Sequence, residues 1–303
     1  MKILLFGKNG QVGWELSKQL ASLGTVTALG RGELDLNDLV WMRTTIRLLE
    51  PDLIVNAAAY TAVDRAEEEH KLARAINAVA PAMLAEEAAR LGAGFVHYST
   101  DYIFDGEKGE PYLEDDEPNP LNVYGETKLE GERAIQATGA SALILRTSWV
   151  YGLRRENFVT KVFQWAAQQP ELRIVADQIS RPTWSLRAAG ATIEILRQCI
   201  EGGRFPENCR GVYHLASAGA VSRYGWAKAI LHHAAQGKPT RVVPVESSEF
   251  PTPATRPSYS ALNCSKLYDR FGIRLPDWQS DLSLALAARN LPEAEVAALA
   301  AVA

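Results

Sequence analysis

Through its first half the chain alternates short, unbroken apolar runs with longer segments whose apolar positions recur every three to four residues. The runs are Lys2–Phe6, Thr25–Leu29, Leu53–Asn56, Gly94–Ser99 and Ala142–Thr147. Helical periodicity falls between them, over Val12–Leu23, Leu39–Leu49, Ala66–Leu91 and Tyr124–Ala137. Unbroken apolar strands belong to sheets covered on both faces, and strand–helix alternation joins them by right-handed crossovers. The pattern predicts an α/β fold: a Rossmann-like doubly wound parallel sheet over residues 1–152.

Beyond Gly152 prolines interrupt the rhythm, at positions 170, 182, 206, 239, 244, 251, 253 and 257, although Val212–Leu215 and Arg241–Val245 keep the strand pattern. Residues 153–303 are expected to form mainly a smaller C-terminal substrate-binding lobe, with segments near 182–216 returning to the first domain. The Ala-rich stretch Glu293–Ala303 reads as a surface helix or frayed tail.

A chain of 303 residues, 47% hydrophobic and 22% charged, is long enough for one large or two modest cores. Its net charge of −4, with the basic residues scattered, offers no field for a phosphate backbone, so a nucleic-acid partner is not expected. No apolar stretch reaches bilayer length, and Met1–Gly7 is too short for a signal sequence; the expected location is cytoplasmic and no membrane partner is expected. Cys199, Cys209 and Cys264 are odd in number and form no CxxC, so they read as free thiols rather than a disulfide or zinc framework.

Gly7-Lys8-Asn9-Gly10-Gln11-Val12-Gly13 follows the first strand and opens the first helix, the context a dinucleotide-binding loop requires. Side chains at Gly7 or Gly10 would obstruct the turn or the pyrophosphate, and the third glycine would let helix and strand pack closely. The second strand ends at Leu29-Gly30-Arg31, where an NAD site usually carries an acid; Arg31, assisted by Lys8, suits a 2′-phosphate, or is a solvated loop charge. NADPH is accordingly expected ahead of NADH.

Tyr124 and Lys128 stand one turn apart on one helix face. A phenol near pKa 10 is a poor acid at neutral pH, and an adjacent ammonium lowers that value. A second copy of the spacing occurs at Tyr224 and Lys228. Only the first follows a strand ending Tyr98-Ser99-Thr100-Asp101, which delivers hydroxyls to the carboxyl edge of the sheet, where such folds bind ligands.

Together the glycine loop, Asn56-Ala57-Ala58-Ala59, Ser99-Thr100 and Tyr124/Lys128 resemble the extended short-chain dehydrogenase/reductase family. The runs His97–Gly106, Arg146–Gly152 and Arg256–Leu262 resemble, more narrowly, its reductases of dTDP-linked 4-keto-deoxysugars. The resemblance implies hydride transfer to C4 of dTDP-4-dehydro-L-rhamnose, giving dTDP-L-rhamnose, a surface-polysaccharide precursor. Tyr124 would protonate the oxygen, Lys128 would tune the phenol and hold the nicotinamide ribose, and Thr100 would bond the carbonyl.

By the same resemblance Gly10, Gln11 and Val12 lie on the pyrophosphate, Asp35 and Leu36 border the adenine, and Ala59, Tyr60, Thr61 and Tyr98 line the nicotinamide half. Tyr60 stands where many relatives have histidine. Asp101 and Trp149 would touch the sugar, with a core indole as the other reading of Trp149. Arg256 would either meet the diphosphate or anchor its loop. Some relatives dimerise through magnesium held by three glutamates per subunit. Here Glu15 is retained but Leu186 and Ala288 occupy the other positions, so no metal site and a monomer or weak homodimer are expected. His232-His233 read as surface residues. Two other functions share the frame: an NAD-dependent nucleotide-sugar epimerase or dehydratase, and a non-catalytic regulatory subunit. A dehydratase normally has an acidic pair after the strand-end Ser/Thr, whereas Asp101 is followed by Tyr102.

Overall fold

The computed structural model describes residues 1–200, 209–233 and 240–289, with 291, 295 and 298. The first half runs β1 (Lys2–Phe6), α1 (Gln11–Gln19), β2 (Thr25–Leu29), α2 (Leu39–Leu49), β3 (Leu53–Asn56), α3 (Val63–Ala66), α4 (His70–Arg74), a π-helical turn (Ala75–Val79), α5 (Ala80–Leu91), β4 (Gly94–Thr100), α6 (Val123–Ala137) and β5 (Ala142–Thr147). There follow β6 (Val150–Tyr151), α7 (Phe158–Gln168), β7 (Glu171–Val175), β8 (Ile179–Ser180), β9 (Thr183–Trp184), α8 (Ser185–Cys199), β10 (Gly211–His214), β11 (Val221–Ser222), α9 (Arg223–His233), β12 (Arg241–Val245), α10 (Ser265–Phe271) and α11 (Trp278–Ala288).

Six strands form one sheet in the order β10-β5-β4-β3-β1-β2, every pairing parallel. Alternate residues of each strand feed opposite faces, which is why the strands read as unbroken apolar runs. Ile3, Leu5, Val55 and Leu143 enter a core with Leu16 of α1 and Ala188 and Leu196 of α8. Leu4, Phe6, Ile54 and Ile144 enter another with Met42 of α2, Leu84 of α5 and Ile135 of α6. Each such buried side chain contributes about 2 kcal/mol of transfer free energy. A third core gathers Tyr151, Val162, Ile174, Trp226 and Leu282 from later elements. Among the described residues no helix is long and apolar enough to cross a membrane.

The single helix expected over Ala66–Leu91 is broken into four pieces. Pro81 lacks an N–H and its ring crowds the carbonyl of Asn77 one turn earlier, where the π-helical turn opens the backbone. Gly131 of α6 presses on that carbonyl: a Cβ there would lie 2.2 Å from Asn77 O. The expectation of three free thiols is also corrected. Cys199 at the end of α8 and Cys209 just before β10 form a disulfide, their Cα atoms 5.8 Å apart, because β10 returns beside the helix it follows. Cys264 is a half-buried thiol. The Ala-rich end lies, but for Glu295 and Ala298, outside the described residues.

Candidate active site

The glycine loop leaves β1 through Gly7, whose φ of +90° only glycine adopts without strain. Its N–H donates to Leu29 O at 2.9 Å, and the Gly10 N–H donates to Gly7 O at 2.8 Å. A Cβ on Gly7 would fall 2.7 Å from Ala58 N, and one on Gly13 would fall 2.0 Å from Gly7 O. The third glycine therefore lets α1 close on the loop itself rather than on the strand. Gly10 caps α1 in an extended conformation with no side-chain capping bond, so the first-turn amides face outward as an anion site. Val12 is buried in the core, so its amide rather than its side chain serves the loop. Beside it opens a cavity of about 350 Å³, lined by Asn9, Gln11, Trp14, Arg154 and Arg155. Arg154 stacks 3.1 Å over the Trp14 ring, and Arg155 donates to Asn9 O. Neither arginine was expected, although the doublet that follows Tyr151-Gly152-Leu153 was available as a signal.

On the other side of Gly7 a small pocket of about 50 Å³ gathers Arg31, Asp35, Leu36 and Ala59 with Gly30 and Ile76. Lys8 does not reinforce Arg31 as expected: its ammonium binds Glu33 at 2.5 Å, and Glu33 also accepts the Gly30 N–H at 2.9 Å. The Lys8 bond is the main reason the Glu33 carboxyl is held below the usual range. Asp35 accepts the Asn37 N–H at 2.9 Å. Thr61 is exposed, whereas Tyr60 is buried with its phenol donating to Glu69 at 2.6 Å and its N–H to Asn77 Oδ1 at 2.8 Å. These pockets fit a dinucleotide: a cradle that any Cβ would fill, uncapped amides, flanking guanidinium groups and an apolar slot.

At the carboxyl edge of β4, Thr100 meets the first turn of α6, which Asn122 caps by accepting the Gly125 N–H at 2.8 Å. A Cβ at Gly125 would lie 2.1 Å from Tyr102 O, so glycine beside Tyr124 is what lets α6 approach. Thr100 lies beside Tyr124, and the Tyr102 ring meets the Tyr124 ring edge-on at 6.0 Å. Burial pushes the Tyr124 phenol up, outweighing the opposite influence of the neighbouring Thr100.

Lys128 is 1% exposed. Its Nζ donates to Tyr98 O at 2.6 Å and lies 3.0 Å from His97 Nε2. Burial pulls it down to about 8, against the attraction of Glu132. Lys128 is turned to β4 rather than bonded to the Tyr124 phenol. The expected placement of Tyr98 is corrected, because its phenol pairs with Thr192 of α8 at 2.6 Å in the core and only its carbonyl reaches the site.

Asp101 is 2% exposed. It takes hydrogen bonds from Ser260 at 2.5 Å, Ser180 at 3.0 Å and Thr100 at 3.2 Å, while burial raises its carboxyl to about 6. It docks two later segments on β4 rather than presenting a free carboxylate to a sugar. Trp149 has a φ of +41°, a strained value for a bulky residue, and stacks on Trp226 with Arg223 3.7 Å over its ring. Arg256 makes a two-pronged bond to Asp64 of α3, at 3.0 and 2.7 Å, so its anchoring role is the one realised. It still lines, with Arg223, Phe158, Arg173, Gln178 and Phe250, a cavity of about 840 Å³. Guanidinium groups among aromatic rings suit a base and a diphosphate.

In the second Tyr/Lys copy the half-buried Tyr224 packs against the third core, and the exposed Lys228 lies 5.3 Å over its ring. His232 and His233 are exposed at the end of α9. Leu186 is a core residue and Ala288 is buried, and among the described residues no three potential metal ligands converge. Asn56, Asn77, His97 and Arg223 were missed. The first and third stand inside the motifs already singled out, whereas Asn77 and Arg223 carry no local pattern.

The family model described as RmlD substrate binding domain matches residues 1–290. A dTDP-4-dehydrorhamnose reductase of Burkholderia thailandensis is 44% identical over 290 residues, covering 94% of this chain and 97% of that protein. Among solved structures, the dTDP-4-dehydrorhamnose reductase of Clostridium acetobutylicum superposes with a TM-score of 0.86 at 35% identity, over 95% of this chain and 99% of that one. That of Bacillus anthracis, in complex with NADP, gives 0.85 at 31% identity, over 94% and 98%. With its parallel sheet, glycine cradle and Thr100–Tyr124 edge, the chain belongs to the family described as RmlD substrate binding domain.

Proposed function

We propose that this chain is a dTDP-4-dehydrorhamnose reductase, which reduces the C4 keto group of dTDP-4-dehydro-L-rhamnose with NAD(P)H to give dTDP-L-rhamnose. The observation that carries the reading is the convergence of Thr100, at the carboxyl edge of β4, with Tyr124, in the first turn of α6, on a sheet whose first strand ends in the glycine cradle. When bound, the reduced nicotinamide supplies the hydride. Thr100 and Tyr124 hold the sugar carbonyl oxygen, and Tyr124 passes it a proton as negative charge develops there. A phenol kept protonated by burial is in the state a reduction needs.

First-turn amides of Gln11, Val12 and Gly13, with Arg154 and Arg155, hold the pyrophosphate; Arg31, Asp35, Leu36 and Ala59 hold the adenosine end, and Arg31 favours NADPH. Tyr60 and Thr61 shape the rim by backbone, and Lys128 meets the ribose. The dTDP moiety occupies the 840 Å³ cavity with Arg223 as its diphosphate partner, while Trp149 forms the wall nearest the sugar. Residues 1–152 with 182–216 form the dinucleotide domain, which β10 and α8 support by joining its sheet and core, and the remainder mainly binds substrate. The protein works in the cytoplasm as a monomer or weak homodimer without a magnesium bridge.

The test is loss of absorbance at 340 nm with NADPH or NADH and dTDP-4-dehydro-L-rhamnose formed in the cuvette by the preceding epimerase. Oxidation dependent on the sugar is the expected result. Cofactor binding without oxidation overturns the reading and leaves an epimerase or regulatory subunit.

A further inference from the structure

At the end of β2 the chain turns at once. The N–H groups of Glu33 and Leu34 both donate to Gly30 O at 3.0 Å, so Gly30-Arg31-Gly32-Glu33 closes a turn that brings residue 33 back over residue 30. A dinucleotide site that takes NAD usually carries an acid at the end of this strand, where its carboxylate meets the adenosine ribose. Here that place holds glycine and arginine.

The acid comes from the turn instead. Glu33 Oε2 accepts the Gly30 N–H at 2.9 Å, and Glu33 Oε1 binds Lys8 of the glycine loop at 2.5 Å. A Cβ on Gly30 would lie 3.1 Å from Glu33 Oε2 and 2.4 Å from Asn9 Nδ2. The Glu33 carboxylate therefore stands where the side chain of an acidic residue 30 would begin, and glycine at that position is what makes room for it.

Stability does not account for this arrangement. Lys8 is 31% and Glu33 47% exposed, and an ion pair so open to water adds little. Its position is the informative property: the pair joins the glycine loop to the end of β2, and the adenosine slot opens beside it, lined by Gly7, Gly30 and Arg31. An ionised carboxylate only accepts hydrogen bonds, at about four lone-pair sites. Lys8 and Gly30 use one on each oxygen, which leaves acceptors for a hydroxyl. The same two bonds hold the Glu33 carboxyl below its usual range, so it is ionised at neutral pH.

We infer that Glu33 takes the place of the missing strand-end acid: its carboxylate accepts a hydrogen bond from the adenosine 2′-hydroxyl of NADH, and Lys8 is the counter-ion that lets the same site admit a 2′-phosphate. A phosphate set against Glu33 alone would meet like charge. Lys8, shared between the two anions, offsets that repulsion, and the Arg31 guanidinium suits the phosphate. Glu33 and Arg31 thus pull in opposite directions, the first toward NADH and the second toward NADPH, and the chain accepts both cofactors.

The inference rests on the glycine cradle being a dinucleotide site and not on the sugar, so binding alone tests it. NADH, NADPH and NADH lacking the adenosine 2′-hydroxyl are titrated calorimetrically into the full chain in the absence of sugar. Because Glu33 is exposed, Glu33→Ala keeps the fold. Loss of the 2′-hydroxyl is expected to weaken binding to the wild-type protein by about tenfold and to Glu33→Ala by less than about threefold. Glu33→Ala also shifts the ratio of the NADH and NADPH dissociation constants by about tenfold toward NADPH, and Lys8→Met shifts it toward NADH.

Equal weakening of NADH and NADPH in Glu33→Ala, or the same dependence on the 2′-hydroxyl with and without Glu33, overturns the inference and leaves Glu33 a pin for its turn. Equal losses in Lys8→Met overturn the counter-ion. A protein that shows the expected binding pattern and oxidises neither cofactor with the sugar loses the reductase reading and keeps this one.

Discussion

Ser260 Oγ donates to Asp101 Oδ2 across 2.5 Å although the two residues lie 159 positions apart in the chain. With the Ser180 bond at 3.0 Å it ties two late segments to the strand end that bears Thr100. Ser260→Ala leaves a buried carboxylate oxygen with one partner fewer, costing about 1–3 kcal/mol of stability. Because the tethered loop runs through Arg256 to the substrate cavity, the KM for the sugar nucleotide rises more than kcat falls. Urea unfolding and steady-state kinetics check the two effects.

Asp101 sets a pH dependence whose direction is fixed by its raised value of about 6. The folded state holds this proton more tightly than the unfolded chain does, so the stabilisation is complete below about pH 4 and is lost as pH rises to about 6. The loss is on the order of 2–3 kcal/mol for a shift of about two units. Asp101→Asn, which mimics the protonated acid, flattens that slope; parallel unfolding curves for the two proteins across this window would refute the assignment.

Tyr124→Phe removes the proton donor while leaving the ring that packs against Tyr102. Turnover falls by about 10²–10⁴-fold, and cofactor affinity, measured by fluorescence titration, changes little. Unchanged turnover would point to a regulatory subunit.

Arg256 and Asp64 act as one anchor, so each alanine variant raises the sugar-nucleotide KM and the double variant adds little. A double-mutant cycle on stability gives a coupling of about 1 kcal/mol. Additive effects would mean that Arg256 works mainly on the ligand.

Arg31→Ala weakens NADPH by about tenfold and leaves NADH nearly unaffected, as expected of a guanidinium matched to a 2′-phosphate. Equal losses for both cofactors would return Arg31 to the status of a loop charge.

Sequence periodicity located β1, β2, β3, β5 and β12 to the residue, because an unbroken apolar run flanked by glycine or polar turns has few other solutions. It joined Ala66–Leu91 into one helix because the pattern of apolar spacing does not register a π-helical turn; only Pro81 hinted at the break. Motifs located Tyr124, Thr100 and the glycine loop, whose neighbours are close in sequence. They did not place the Tyr98 phenol, since side-chain facing along a strand depends on which layer lies beneath it. The Cys199–Cys209 bond and the Asp64–Arg256 pair are made by chain segments brought together only by folding, and spacing carries no trace of either.

The outer edge of β5 is covered by β10, a strand that follows the whole of β6 to α8 in the chain. During synthesis the sheet therefore presents a bare, apolar border until Gly211–His214 has left the ribosome. An open strand edge is a template for pairing with other chains, so a transcript truncated anywhere between Thr147 and Gly211 yields an aggregating product rather than a smaller working one.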